Sequence, residues 1–294
     1  MPDAANPLET LSAALSALVA RASPGVVAVR SHRAWSSGFI WKPGLVVTAD
    51  EALAEDGEVA VTLPGGESVA ASLVGRDPST DVALLRVGRT DIQPAALSQA
   101  LVAAGALAVA VGSQDGTPVA ALGAVSVAGA AWRSMRGGEI SARIELDVAL
   151  RRHAEGGLAL DAAGQAFGMA VLGPRRRVLV IPAATIERVA AQLEARGRVV
   201  RGYLGLGLQP IRLDGGGGAP GVIVMSVDPQ GPGAAAGIRQ GDVIAAWDGR
   251  PVGGVSALLR ALGPDSVGST ATLSLRRAGA PLEVRLTVGE KPQG

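Results

Sequence analysis

Short apolar runs separated by turn signals dominate the first two thirds of the chain. Turn sequences such as Pro64-Gly65-Gly66 and Asp77-Pro78 interrupt them. Regularly spaced short strands over roughly 150 residues are typical of an antiparallel barrel or a pair of packed sheets. The runs that predict strands are residues 26–30, 38–41, 45–48, 59–63, 69–74, 82–87, 106–111, 119–127, 140–146, 157–160 and 166–172.

Two segments have helical periodicity instead. Residues 8–20 place leucines at positions 8, 11, 15 and 18, which predicts a short amphipathic helix, and residues 183–196 carry a clearer apolar face that ends at Gly197. That face consists of Ile186, Val189, Ala190 and Leu193.

A second, mixed β/α unit begins at Gly202. Its predicted strands are residues 203–208, 221–227, 242–247, 270–276 and 282–288, its helices are residues 233–237 and 255–262, and a glycine-rich spacer covers 214–219. We therefore predict four segments, namely an N-terminal helix (1–23), a β-rich domain (24–182), a helix and linker (183–201) and the β/α domain (202–294).

Composition narrows the function classes. The net charge of +1 argues against a general attraction to nucleic acid, and the absence of cysteine excludes disulfides and thiolate chemistry. No apolar run reaches the ~20 residues that a membrane span needs. The N-terminal segment lacks a basic start and carries Asp3 and Glu9, so we expect no signal peptide and a cytoplasmic location by default, or the periplasm or cell envelope if the N-terminus is truncated. No cofactor is predicted.

Three stretches in the β-rich part resemble the HtrA/Deg serine proteases. They are SSGFIWKPGLVVTADEALAEDGEVAVTLPGGE at 36–67, GRDPSTDVALLRV at 75–87 and IELDVALRRHAEGGLALDAAGQAFGMAVLG at 144–173. The resemblance continues through the helix at 183–196. It implies a mainly β fold, a chymotrypsin/trypsin-like double β-barrel followed by a PDZ-like β/α domain.

The same resemblance locates the catalytic positions. The general-base histidine falls on Glu51, the triad acid on Asp81 and the nucleophilic serine on Glu155, while a glycine of the oxyanion loop falls on His153. A serine protease needs a hydroxyl nucleophile and a base that takes its proton near neutral pH. Since Glu155 has no hydroxyl and Glu51 is a weak base, we expect a catalytically inactive pseudoprotease.

The three acidic positions are expected to lie close together, where like charges raise at least one pKa. One carboxyl could stay protonated, Arg151 or Arg152 could neutralise the cluster, or the cleft could be splayed and solvated. A further alternative is a divalent cation on Glu51, Asp81 and Glu155, because oxygen ligands suit Ca²⁺, Mg²⁺ or Mn²⁺.

An active endopeptidase is the main alternative function. Ser36, Ser37 and Ser134 are the candidate nucleophiles if the alignment is misplaced. The chain's only histidines are His32, for which we expect a surface position, and His153, for which we expect a solvent-facing loop position.

Residues 202–290 resemble a bacterial PDZ domain. The sequence Gly-Tyr-Leu-Gly-Leu at 202–206 resembles its carboxylate-binding loop, and Gly-Asp-Val-Ile at 241–244 resembles a later turn in which Asp242 is structural. Backbone N–H groups in such a loop can hold a terminal carboxylate, and a neighbouring strand edge can pair with the peptide. The predicted peptide-binding residues are Tyr203, Leu204, Gly205, Leu206, Leu208, Leu258 and Leu259.

The predicted function is therefore binding of peptide or protein C-termini through the PDZ domain, as a scaffold, regulator or chaperone in protein quality control. The family resemblance also implies self-association or association with an active paralogue.

Overall fold

The computed structural model describes residues 6–32, 34–55, 57–212, 220–263 and 266–290. The chain forms two compact units, Met1–Arg198 and Val199–Gly294. The predicted spacer at 214–219 lies outside the described residues.

The first unit begins with helix α1, Pro7–Ala22, followed by a closed six-stranded barrel. The strand order is β1-β2-β3-β6-β5-β4, with β1 pairing to β4 to close the barrel. Alternating side chains such as Val27, Val29 and Leu85 fill its interior. The strands are β1 (Val26–Ser31), β2 (Ala34–Lys42), β3 (Leu45–Thr48), β4 (Val59–Thr62), β5 (Ser68–Asp77) and β6 (Val82–Val87).

A second closed barrel follows in the order β11-β14-β13-β12-β7-β8. Two six-stranded barrels confirm the predicted double-barrel fold. A two-stranded hairpin, β9 (Trp132–Arg133) with β10 (Glu139–Ile140), projects between β8 and β11. The barrel strands are β7 (Leu107–Gln114), β8 (Thr117–Gly129), β11 (Arg143–Asp147), β12 (Leu158–Asp161), β13 (Ala166–Leu172) and β14 (Val178–Pro182).

The sequence prediction differs from this barrel at two places. The run 140–146 is divided, because β10 ends at Ile140 and β11 begins at Arg143. Strand β14 was missed, because it passes directly into the next helix without a turn sequence, and Pro182 is both its last residue and the N-cap of that helix.

Helix α2, Ala183–Arg196, belongs to the first unit rather than to a linker. Its predicted apolar face is fully buried there, and Gly197 ends it with a left-handed φ of 69°. The unit boundary at 198/199 therefore lies after the helix. Helix α1 is less enclosed, since Leu18 is buried while Leu8 is 73% exposed.

The second unit contains a sheet in the order β16-β17-β18-β20-β21, with β19 (Arg250–Pro251) added beside β18. A separate pair joins β15 (Gly202–Tyr203) to β22 (Gly289–Glu290). The predicted strand 203–208 is split between β15 and β16, because Gly205 adopts a φ of 71°. The remaining elements are β16 (Leu206–Arg212), β17 (Pro220–Val227), β18 (Val243–Trp247), β20 (Thr270–Arg277), β21 (Ala280–Thr287), α3 (Pro232–Ala235) and α4 (Val255–Ala261).

Candidate functional site

The candidate site of the first unit combines three loops. Glu51 lies in the turn after β3, Asp81 lies between β5 and β6, and Glu155 lies before β12. The Asp77 carboxylate shapes the second loop by accepting hydrogen bonds from the Ser79 hydroxyl at 2.6 Å and the Thr80 hydroxyl at 2.7 Å. These bonds hold the turn that leads into Asp81.

Asp81 is joined to the turn that carries Glu51. The Glu51 N–H donates to Asp81 Oδ1 at 2.8 Å, and Asp81 has a left-handed φ of 58°. The pKa of Asp81 is raised to about 7, chiefly because the carboxyl is buried. The negative charges of Glu51, Glu155 and Asp50 also raise this pKa, whereas the hydrogen bond from the Glu51 N–H lowers it. This carboxyl therefore titrates near neutral pH.

The Glu51 side chain is partly exposed and contacts an arginine. It is 52% exposed and its Oε1 lies 3.5 Å from Arg136 Nη1. Because exposed ion pairs contribute little energy, Arg136 offsets the charge of Glu51 more than it fixes its position. Sequence reasoning missed Arg136, which comes from the distant β9–β10 hairpin.

The Glu155 side chain is buried. It is 4% exposed and its Oε1 accepts the Leu172 N–H at 3.1 Å. Burial raises the pKa of Glu155, while the Leu172 N–H and the positive charge of Arg152 lower it and the charge of Glu51 raises it. Both arginines predicted to compensate the acids are exposed, and the charge of Arg152 acts on Glu155.

The three carboxyl groups influence one another through charge, and each has a different hydrogen-bond or ion-pair partner. Within the described residues, no group of three histidine, aspartate or glutamate side chains could hold a metal ion. The predicted convergence of the three acids stays a prediction: their charges act on one another, while Glu51 also contacts Arg136 and Glu155 accepts the Leu172 N–H. The geometry gives the metal-site alternative on Glu51, Asp81 and Glu155 no support.

A second buried acid lies beside the site and was also missed. Asp50 is 2% exposed, and Arg76 Nε contacts its carboxylate while Arg76 Nη2 donates to its carbonyl at 3.1 Å. A buried carboxylate requires such a partner. Asp50 precedes Glu51, so this pair also holds the first loop.

The loop before Glu155 is closed by local hydrogen bonds. It contains one 3-10 turn, Arg152–Ala154, in which the Ala154 N–H donates to the Arg151 carbonyl at 2.9 Å and the Glu155 N–H donates to the Arg152 carbonyl at 3.1 Å. The Glu155 N–H is thus occupied within its own loop.

Ser37 ties this loop to the first barrel. Its hydroxyl donates to the His153 carbonyl at 2.7 Å, and its N–H donates to the Glu155 carbonyl at 2.7 Å. Ser37 is fully buried and so is not available as a nucleophile. The Ser134 hydroxyl donates to the Ser79 carbonyl at 2.5 Å, and the buried Ser36 hydroxyl has no partner within the described part of the chain.

Two cavities meet at Glu51. One of about 800 Å³ extends past Asp81 and Trp132 toward Leu172, and one of about 660 Å³ is lined by both histidines, His32 and His153. His32 is exposed, as predicted, whereas His153 is only partly exposed. The cleft is therefore open on both sides of the position that a histidine base would occupy.

The second unit presents the other candidate site. Gly205 combines a left-handed φ of 71° with close packing, since a Cβ there would lie 2.9 Å from the Gly231 Cα. The Leu204 carbonyl accepts the Gly233 N–H at 2.7 Å, and the Tyr203 hydroxyl donates to Asp228 at 2.9 Å. These contacts fix the loop between β15 and β16.

The predicted apolar groove is only partly as expected. Leu206 and Leu208 are partly exposed and pack against the core of the unit, but the side chains of Leu204 and Leu258 are 3% and 0% exposed. Those two side chains belong to the core of the unit in this structure. Leu259 is 50% exposed on the neighbouring face of α4.

Asp242 is structural, as predicted. It is 1% exposed, receives the Arg239 N–H at 2.8 Å and binds Arg277 through both carboxylate oxygens at 2.8 and 2.9 Å. The Arg277 guanidinium lowers the pKa of Asp242, with the Arg239 N–H adding to the effect and burial opposing it.

Comparison with known proteins gives consistent matches for both units. The trypsin-like peptidase domain profile matches residues 36–169, and the PDZ domain profile matches residues 202–288. A protein named probable periplasmic serine endoprotease DegP-like from Brucella suis is 32% identical over 275 residues, which cover 88% of this chain and 53% of that protein. The protein of the same name from Pseudomonas fulva is 31% identical over 286 residues, covering 92% and 59%. The chain thus spans about half the length of the curated relatives that it matches.

Solved structures of HtrA-type proteases have the same fold over most of this chain. The serine endoprotease from Yersinia pestis has a TM-score of 0.75 at 25% identity and covers 94% of this chain and 98% of its own. The HtrA-type protease AlgW with a decapeptide has a TM-score of 0.76 at 22% identity, covering 95% and 99%.

These findings correct the predicted location. The curated relatives are named periplasmic, which contradicts the cytoplasmic default drawn from the N-terminal sequence. Of the helices in the described residues, none is both long and apolar enough to span a membrane.

Proposed function

The chain belongs to the HtrA/Deg-type serine proteases with a PDZ domain, and we propose that it is a non-proteolytic member that binds peptide or protein C-termini through that domain. In this proposal it works in the periplasm as a scaffold, regulator or chaperone of protein quality control. Association with itself or with an active paralogue is part of the same proposal.

The observation that carries the loss of proteolysis is the Glu155 side chain. Acyl transfer requires a nucleophile activated by an adjacent base. At the serine position the structure has a buried carboxylate that accepts the Leu172 N–H, and at the histidine position it has a carboxylate paired with Arg136. Neither group can supply the hydroxyl or the neutral-pH base that the reaction needs.

The oxyanion loop supports the same proposal. Stabilisation of a tetrahedral intermediate requires free backbone N–H groups directed at the developing charge. In this loop the Glu155 N–H is already donated to the Arg152 carbonyl at 3.1 Å. The Ser37 hydroxyl also holds the His153 carbonyl, which opposes rotation of the neighbouring peptide group.

Binding of C-termini is supported by the second unit. The loop between β15 and β16 has the left-handed Gly205 that a tight ring of N–H groups requires, and β16 is an edge strand. Leu206 and Leu208 lie partly exposed beside α4, where an apolar terminal side chain could pack. Solved relatives of this fold include AlgW with a decapeptide and with a tripeptide.

The alternative is an active serine endopeptidase, and the names of the relatives favour it. Its nucleophile would have to be a residue outside the aligned position. Ser36 is the candidate that the structure leaves without a hydrogen-bond partner among the described residues, although it is 2% exposed.

One pair of measurements separates the two functions. The purified chain is incubated with a fluorophosphonate probe and with casein, beside an active HtrA protease as positive control, and its binding to fluorescent peptides with free or amidated C-termini is measured by anisotropy. The proposal expects no covalent labelling, no cleavage, and binding only of free C-termini. Labelling that is lost in Ser36→Ala would establish the endopeptidase instead.

A further inference from the structure

Strand β16 is the open edge of the sheet in the second unit. It pairs with β17 on one side, and α4 lies near it. Among the described residues no other strand pairs with it. A bound peptide would extend the sheet here, which is the geometry of the proposed function.

The register shows which backbone groups of β16 face this edge. Leu208 lies opposite Val224 of β17. The Val224 N–H donates to the Asp242 carbonyl at 2.8 Å and its carbonyl accepts the Gly241 N–H at 2.9 Å, so both groups of Val224 point away from β16. In an antiparallel ladder such a residue and its partner form a non-hydrogen-bonded pair. The N–H and carbonyl of Leu208 therefore face the open edge.

Alternation extends this result along the strand. The register shifts between Gly207 and Leu208, but the extra residue lies on β17, so the backbone groups of β16 still change direction at every residue. Leu206, Leu208 and Pro210 therefore face the open edge, whereas Gly207 and Gln209 face β17. Pro210 has no N–H. Its position agrees with the general rule that a proline is tolerated in a strand where its nitrogen faces away from the paired neighbour.

We propose that Pro210 ends the two-sided hydrogen-bond ladder of the peptide groove and so limits backbone recognition to about the last four residues of the bound chain. The inference rests on the proposed binding of C-termini. A peptide whose carboxylate lies in the loop before Leu206 runs antiparallel to β16. Its last residue then lies beside Leu206, its third-last beside Leu208 and its fifth-last beside Pro210.

The consequence is a different hydrogen-bond count at each position. The third-last residue exchanges two hydrogen bonds with Leu208. The fifth-last residue can donate its N–H to the Pro210 carbonyl, but its own carbonyl finds no donor on the strand. Residues further from the C-terminus then lie against a strand edge without the alternating hydrogen-bond pattern. The groove therefore recognises a short free C-terminus, which any unfolded or cleaved chain can offer whatever its upstream sequence.

The test is a nested set of N-acetylated peptides of three, four, five and seven residues with free C-termini, prepared in series that end in valine, leucine or phenylalanine. Affinities are measured by calorimetry for the wild-type chain, for Pro210→Ala and for Pro281→Ala. Pro281 is a matched control, because it is an exposed strand proline at the opposite edge of the same sheet.

For the wild type we expect the fifth residue to add at most the one hydrogen bond that its N–H donates to the Pro210 carbonyl, and no further gain between five and seven residues. Pro210→Ala restores one donor, and since a net hydrogen bond changes an equilibrium by about 2- to 12-fold, the variant should bind the seven-residue peptide tighter by that factor. Its affinity for the acetylated tripeptide should equal that of the wild type. Pro281→Ala should match the wild type at every length.

The outcomes distinguish the inference from the function on which it rests. If the peptides bind but Pro210→Ala and the wild type gain equally with length, the ladder limit is wrong while C-terminal binding stands. If no free C-terminus binds in any series, the proposed function fails and this inference fails with it. Amide exchange of Leu208 protected by the heptapeptide would verify that binding occurs at this edge.

Discussion

Placing a histidine at position 51 and a serine at position 155 should not by itself create a serine protease. The variant Glu51→His/Glu155→Ser replaces the base and the nucleophile while Asp81 is kept. We expect this double variant to react slowly with a fluorophosphonate, because the loop before position 155 is closed by the bond from the residue-155 N–H to the Arg152 carbonyl. Adding His153→Gly should accelerate the reaction.

The size of the effect follows from two contributions. Opening the loop breaks that hydrogen bond, at a net cost of about 0.5–1.5 kcal/mol. The family resemblance places a glycine at position 153, where the competent loop needs a backbone conformation that costs residues with a Cβ about 1–2 kcal/mol. The glycine removes only the second contribution. Since about 1.4 kcal/mol is a factor of ten, the triple variant should react roughly 5- to 30-fold faster than the double variant.

The assay is the second-order labelling rate at pH 8, with melting curves to verify that each variant is folded. Glu51→His/Glu155→Ser/His32→Gly is the matched control, because His32 lines the same cavity but lies outside the loop. It should react at the rate of the double variant. Equal rates for the double variant and the His153→Gly triple variant would refute the reasoning that the loop limits the chemistry.

Three further predictions concern stability. Asp81 binds its proton below about pH 7 in the folded chain and below about pH 3.9 in the unfolded chain, so its ionisation costs stability as the pH rises through that window. We expect Asp81→Asn to raise the melting temperature at pH 8 but not at pH 4. A difference in melting temperature that does not depend on pH would contradict this. Arg277 lowers the pKa of Asp242, so the stability that the Asp242 carboxylate contributes is present above its unfolded pKa and is lost as the pH falls. Asp242→Asn should therefore have a lower melting temperature than the wild type at pH 7. The difference between the two melting temperatures should close toward pH 3 rather than stay constant. In urea titrations Leu258→Ala should lower the free energy of unfolding by about 2–5 kcal/mol, because the Leu258 side chain is buried. Leu259→Ala should lower it by less than about 0.5 kcal/mol, because the Leu259 side chain is half exposed. Similar losses in the two variants would contradict the assignment of Leu258 to the core.

The sequence predicted those elements best whose ends carry their own signals. The strands at 45–48, 82–87 and 166–172 and the helix at 183–196 have the predicted bounds. Gly197 shows why, because its left-handed conformation ends the helix locally, whatever the surrounding packing. Strand β14 has no such signal before α2, and the prediction missed it.

The candidate site was predictable in its positions but not in its contacts. Local motifs placed Glu51, Asp81 and Glu155 in neighbouring loops, and the structure brings those loops together. Arg136 lies on the β9–β10 hairpin and Leu172 at the end of β13, so these contacts depend on how the strands assemble and no local pattern could indicate them. The mutual effect of the three charges, by contrast, follows from the predicted positions alone and is present.

Asp81 has a structural part in this site that does not depend on a histidine. In a serine protease the triad acid orients the base. Here the Asp81 carboxylate accepts the Glu51 N–H and its carbonyl accepts the Asp50 N–H at 3.4 Å, so the residue joins the turn after β3 to the turn before β6 without any histidine. These bonds use backbone N–H groups that a change of side chain at Glu51 leaves in place. The structural reason for an acid at position 81 is therefore independent of the side chain at position 51, and its cost is the burial of a charge.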